Sequence, residues 1–216
     1  MRNDIAITSS EPTPTKTCLS LTPYSAANAF TSFVANRDVI VIVDEAYIDF
    51  GGKSALTLLD EYDNLLVVRT YSKSRSMAGL RIGYAIGGEE LIKALNDVKY
   101  SYNSYTMNMA AIELGTAVLA DKDYFNETVA KIVNTRENAK VRLRELGFTF
   151  PDSKTNFIFA RPSKITAKEL FEELKKRNIY VRYFTGDRVK DHLRITIGTD
   201  EEMERFYEAV REIQGA

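Results

Sequence analysis

The 216-residue chain has one cysteine, Cys18, and one histidine, His192. A single thiol permits no internal disulfide, and the two residues together offer no material for a His/Cys metal cluster. Neither sign of charge is in excess: 29 Lys+Arg stand against 30 Asp+Glu, a formal net charge of −1. No basic field therefore exists to draw in nucleic acid or an anionic membrane. Long apolar runs are missing too. The longest, Val39–Val43, falls far short of the roughly 20 residues that span a bilayer. The opening Met1-Arg2-Asn3-Asp4 has no basic-then-apolar stretch of the secretory kind. The expectation is a soluble, cytoplasmic protein without structural metal. Proline is scarce, and three of the five, Pro12, Pro14 and Pro23, fall in the first 36 residues, where Ser, Thr, Pro and Asn fill 17 positions. Residues 1–36 are read as an irregular leader. A short helix over Tyr24–Val34 is suggested by the spacing of Ala27, Phe30, Phe33 and Val34.

What is present is ordinary globular material, 44% hydrophobic and 27% charged, enough to bury a core. From Asp38 the pattern turns regular. Val39-Ile40-Val41-Ile42-Val43 is a continuous β-branched run, as in a strand buried on both faces of a parallel sheet. Leu65–Val68 is a second such run, and Arg81–Gly87 a third. Helical spacing follows over Glu89–Val98, Met107–Leu119 and about Tyr124–Leu146, with Gly147 as a stop. The last third alternates: strands at Asn156–Phe159, Tyr180–Arg182 and Leu193–Ile197, and amphipathic helices around Ala167–Leu174 and Met203–Ile213. The class is α/β, with a break expected near 118–123 between a mostly parallel sheet unit and a small α+β unit.

In an open parallel sheet, ligands sit beyond the carboxyl ends of the strands. The first strand delivers Asp44, Glu45 and Tyr47 there; the second delivers Thr70, Ser72 and Lys73, followed by a small-residue turn, Ser74–Gly79, and Arg81. Lysine changes protonation readily when desolvated or set near cations, so Lys73 is a candidate Schiff-base nucleophile. Hydroxyls and a guanidinium around it suit a phosphate. Rival motifs fail on spacing. Gly52-Lys53-Ser54 would need a glycine at position 47 to make a phosphate loop, and that position is Tyr47. No Gly-x-Ser-x-Gly occurs, and Gly83–Gly88 lacks the dinucleotide spacing.

Val43-Asp44-Glu45-Ala46-Tyr47-Ile48-Asp49-Phe50 and Thr70-Tyr71-Ser72-Lys73-Ser74-Arg75-Ser76-Met77-Ala78-Gly79-Leu80-Arg81-Ile82-Gly83-Tyr84 resemble the fold-type-I pyridoxal-phosphate aminotransferases, and within them the histidinol-phosphate aminotransferase group. Thr155–Phe159 and Leu193–Thr199 match the C-terminal segments in order, so the likeness covers about residues 38–213. The resemblance implies pyridoxal 5'-phosphate as cofactor and a ping-pong exchange between an amino-group donor and a 2-oxo acid. It implies that Lys73 carries the cofactor and moves the substrate proton, that Asp44 pairs with the ring nitrogen and Tyr47 with the ring oxygen, and that Thr70, Ser72 and Arg81 hold the phosphate. Arg194 would bind the substrate's anionic end, Arg182 a second anionic group, and Asn156 would flank that pocket. A related phospho-amino-acid decarboxylase, or a non-catalytic module, is the alternative.

The family places its lysine well past mid-chain, after strands and a phosphate loop that do not precede Lys73 here. Glu11-Pro12-Thr13-Pro14-Thr15-Lys16 stands where the family has an asparagine-bearing turn. The expectation is therefore a truncated cofactor-binding large domain over 37–120 and a C-terminal small domain over 121–216. Uncovered sheet surface and the two-fold dimers of the family imply a homodimer or another self-association. His192 is expected to be exposed, Cys18 a bystander, and Met107 and Met109 core residues.

Overall fold

A computed structural model describes residues 34–215. Cys18, the 11–16 segment and all but the last residue of the 24–34 helix lie outside them. The chain forms two compact units, one up to Phe125 and one from Asn126.

The first unit holds a three-stranded sheet in the order β1-β2-β3, formed by β1 (Val41–Asp44), β2 (Leu65–Thr70) and β3 (Gly83–Gly87). β1 and β2 are parallel, with Asp44 beside Val68. β3 runs antiparallel to β2, pairing Thr70 with Gly83, so within this sheet one pairing of two is parallel. The reason is the connection. A parallel return needs a long crossover, usually a helix, whereas residues 71–82 hold only a short 3-10 turn, Ala78–Leu80. Leu65, Val67, Val41, Ala55 and Leu59 make the core, as the β-branched runs predict.

Two helices follow, α1 (Glu89–Tyr102) and α2 (Met109–Ala120), the second capped by Asn108, whose Oδ1 accepts from the Ala111 N–H at 2.8 Å. α2 is apolar nearly all round, yet only Ala111 and Gly115 are buried. Met107 and Met109 are exposed, together with Ile112, Leu114 and Leu119. Met107 and Met109 are thus not core residues. Helical spacing identifies apolar faces but not which of them finds a partner.

The division between the units falls after Phe125, inside α3 (Lys122–Glu145). The second unit carries a wholly antiparallel sheet in the order β4-β5-β7-β6, from β4 (Phe148–Thr149), β5 (Phe157–Pro162), β6 (Arg182–Tyr183) and β7 (Leu193–Thr196). Two helices complete it, α4 (Ala167–Lys176) and α5 (Asp200–Gln214). Alternation decides the faces: Ile158, Ala160, Leu193 and Ile195 are buried against Leu143, Leu170, Leu174 and Val210. Both helices begin with full capping boxes, Thr166 with Glu169 and Thr199 with Glu202. Gly147 ends α3 at φ 82°, and a Cβ there would lie 2.7 Å from the Ser163 hydroxyl oxygen.

α3 also buries two cations, Arg136 and Lys140, which requires partners. Arg136 donates to the Thr155 carbonyl at 3.0 Å and to Glu137; Lys140 donates to Glu137 and, at 2.6 Å, to Asp152. The hydrogen bond from Lys140 holds the Asp152 carboxyl below its ordinary range. A depressed carboxylate stabilises the folded state above its unfolded pKa, and that contribution is lost as pH falls through the folded value. Asp152→Asn is therefore expected to lower stability at neutral pH and to flatten its decline below about pH 4, read by denaturant melts across the acid range. An unchanged acid slope would contradict this.

Candidate active site

β1 and β2 end side by side, and the residues beyond them are held by a buried carboxylate. Glu45, 5% exposed, accepts from the Ser54 hydroxyl at 2.8 Å, the Ala55 N–H at 2.6 Å and the Arg69 Nε and Nη2 at 3.0 and 2.8 Å. Burial works against the Arg69 cation, but hydrogen bonds with Glu45 and Tyr84 outweigh it and raise its pKa above the ordinary value. Glu45 is thus a strut. Tyr47, two residues further on, is half-buried. Asp44 is exposed, with Oδ1 accepting from the Ala46 N–H at 2.9 Å.

The Lys73 Nζ lies 5.4 Å from the centroid of the Tyr47 ring, close enough for a cation–π contact. It makes no ion pair among the described residues. Thr70 Oγ1 donates to the Ile82 carbonyl at 3.2 Å and accepts from the Ser72 N–H at 3.0 Å, which fixes the start of the loop. Arg81 is exposed, in the left-handed region at φ 57°, with Nη1 donating to the Ala78 carbonyl at 3.1 Å. Arg75 is occupied elsewhere, its guanidinium 4.3 Å from the Phe125 ring centroid.

In the second unit, Arg182 and Arg194 are direct cross-strand partners, and Arg194 also opposes Phe159. Directly opposed residues share a face, so both arginines lie on the side away from Ile158 and Ile195. The Arg194 guanidinium stands 5.5 Å from the Phe157 centroid, and its Nε is buried without a hydrogen-bond partner. Asn156 immediately precedes β5, its carbonyl accepting from the Ile197 N–H at 2.9 Å. His192 is not exposed as expected. It stacks on Phe159 at 4.7 Å, and its Nδ1 is buried. With Phe184, edge-on to Phe159, these rings line the arginine face. The signal for them was available: Phe157 and Phe159 alternate with buried Ile158 and Ala160.

Pyridoxal phosphate suits the donors of the first unit. An amine without a counter-ion among the described residues stands beside a phenol, hydroxyls and an exposed guanidinium follow on one loop, and a carboxylate projects from the adjacent strand end.

The chain belongs to the aminotransferase class I and II family, which residues 23–210 match. It is 52% identical over 181 residues to the histidinol-phosphate aminotransferase of Brachyspira hyodysenteriae, covering 83% of this chain and 51% of that protein. To that of Clostridium acetobutylicum it is 50% identical over 177 residues, covering 82% and 50%. The crystal structure of histidinol-phosphate aminotransferase from Sinorhizobium meliloti in complex with pyridoxal-5'-phosphate matches with a TM-score of 0.77 at 26% identity, covering 91% of this chain and 54% of that one. The chain spans about half the length of the curated relatives it matches.

Proposed function

We propose that this chain carries the lysine-bearing part of a pyridoxal-phosphate-dependent aminotransferase that exchanges an amino group between histidinol phosphate and 2-oxoglutarate. The observation that carries the reading is Lys73 beside the Tyr47 ring at the strand exits, in a chain half identical to histidinol-phosphate aminotransferases. Pyridoxal phosphate, when bound, supplies a protonated ring that accepts electrons from the substrate carbon. Thr70, Ser72 and Arg81 would hold its phosphate, Asp44 its ring nitrogen and Tyr47 its ring oxygen. Lys73 would hold it covalently, and its amine would carry the proton at the substrate Cα.

Arg194 binds the substrate's anionic end, Arg182 a second anionic group, and Asn156 lies beside them. Supporting this, the buried Arg194 Nε lacks a partner, and a buried donor without one is costly unless a ligand fills the gap. Arg194→Ala is expected to raise KM for histidinol phosphate about 100-fold, through loss of a charge-assisted hydrogen bond, and to leave cofactor affinity unchanged. Equal loss of both, measured by kinetics and absorbance titration, would remove that role.

Among the described residues no helix is long and apolar enough to cross a membrane, and the reading places the enzyme in the cytoplasm. It acts as a homodimer, supported by the exposed apolar residues of α2. Light scattering is expected to report more than one copy; a monodisperse monomer would contradict the dimer. The function itself is tested by adding pyridoxal phosphate, reducing with borohydride and mapping the labelled peptide. Label on Lys73 and amino transfer from histidinol phosphate are expected. Label scattered over surface lysines would overturn the reading.

A further inference from the structure

The residue after Lys73 is Ser74, whose side chain is 4% exposed although its neighbours Ser72, Lys73 and Arg75 reach solvent. A buried hydroxyl needs a partner, and this one donates to the carboxylate of Asp49. Asp49 sits in the 3-10 turn Ile48–Phe50, directly after Tyr47. One side-chain bond therefore joins the residue after Lys73 to the turn that carries Tyr47. The loop has its own internal shape: the Ser76 N–H donates to the Lys73 carbonyl and the Met77 N–H to the Tyr71 carbonyl, each at 3.0 Å, with Ser76 at φ 56°. That shape sets the loop's curvature but not its seat on the neighbouring strand end.

We propose that Ser74 and Asp49 are a positioning pair that seats the Lys73 amine against Tyr47. The inference rests on the reading of Lys73 as the cofactor-bearing lysine. Neither residue touches reacting atoms; they act through the main chain of Lys73. A lysine side chain is a flexible four-carbon stem, so its amine is placed only as well as its Cα is. The hydrogen bond to an ionised carboxylate is of the stronger, shorter kind. Loss of the hydroxyl frees the loop and leaves the exposed Asp49 to water.

The test uses the whole chain as wild type, Ser74→Ala, Ser74→Thr and Asp49→Ala. Each is first pulse-acylated without cofactor, using an N-hydroxysuccinimide ester of acetate, and labelling of Lys73 is mapped against Lys93 and Lys131. Ser74→Ala is expected to speed Lys73 labelling about tenfold, the scale of one hydrogen bond to a charged group, with Lys93 and Lys131 unchanged. Ser74→Thr, which keeps the hydroxyl, is expected to restore the wild-type rate. In a parallel experiment with pyridoxal phosphate and borohydride, the share of label on Lys73 is expected to fall in Ser74→Ala and recover in Ser74→Thr. Asp49→Ala, which removes the acceptor, follows Ser74→Ala and stands in for it should the Ser74 variant not fold. Unchanged Lys73 labelling overturns the proposal, and so does an equal rise at all three lysines. If wild type captures no cofactor at Lys73 while the labelling contrast persists, the functional reading fails and the positioning pair stands.

Discussion

Lys73→Arg is expected to abolish borohydride-fixed cofactor and to lower amino transfer by at least about 10⁴-fold, the scale of a lost proton-transfer group combined with a lost covalent anchor. Arginine is the informative replacement. It keeps the cation over the Tyr47 ring, where Lys73 Nζ stands 5.4 Å from the centroid, and guanidinium stacks well on such faces. Its nitrogen neither attacks the cofactor's carbonyl nor surrenders a proton near neutrality. Thermal stability should therefore stay near wild type while chemistry disappears. Retained amino transfer would remove Lys73 from the reaction. A large fall in melting temperature would mean that the lysine holds the loop by contacts other than its charge.

Glu45→Ala is expected to destabilise the chain by about 3 kcal/mol, at the lower end for breaking a buried ion pair, because Arg69 keeps some access to water. The side chains of Glu45 and Arg69 are 3% and 20% exposed. The change strips one carboxylate from four donors: Ser54, the Ala55 N–H and two nitrogens of Arg69. The Ala55 N–H sits in a buried residue, where a lost acceptor is costly. Glu45→Gln should cost less, since its amide oxygen still accepts. Urea unfolding with an unchanged m-value would assign the loss to stability rather than to altered compactness. A loss below about 1 kcal/mol would mean that water replaces the carboxylate. Asp44 and Tyr47 lie beside this strut, so under the proposed function the same variant should weaken cofactor binding even where the chain stays folded.

The strands of the first unit were legible because Val39–Val43 and Leu65–Val68 are continuous β-branched or aliphatic runs, and because the polar residues needed for chemistry follow directly after them. The residues proposed for the lysine site could be named for the same reason. Its members are local to two strand exits, and the Lys73–Arg81 spacing lies within one loop. What could not be read depends on groups meeting across the fold. The reversed direction of β3 is decided by a connection without a helix, and β4 is two residues long, too short for periodicity to register. Ser74 and Asp49 are 25 positions apart, and Arg69 and Glu45 are 24 apart, so sequence marked Glu45 as polar at a strand end without revealing it as a strut. His192 lies in a polar turn by sequence but stacks on Phe159 because β7 pairs with β5. Met107 and Met109 show the converse error, apolar residues left in solvent.

The capping boxes at Thr166–Glu169 and Thr199–Glu202 bear on the order in which the second unit folds. Each signal spans four residues, so it forms at almost no loop-closure cost. α4 and α5 can therefore begin at fixed places before any strand has found its neighbour. The β5–β7 ladder, by contrast, joins Phe157 to Thr196 and Ala160 to Leu193, and must close the intervening chain before it gains a single bond. Helix starts written this locally shorten that search. With helix starts already committed on either side of β6 and β7, the strands have fewer registers to sample. The rate of refolding, more than the final stability, is where weakening either box should be felt.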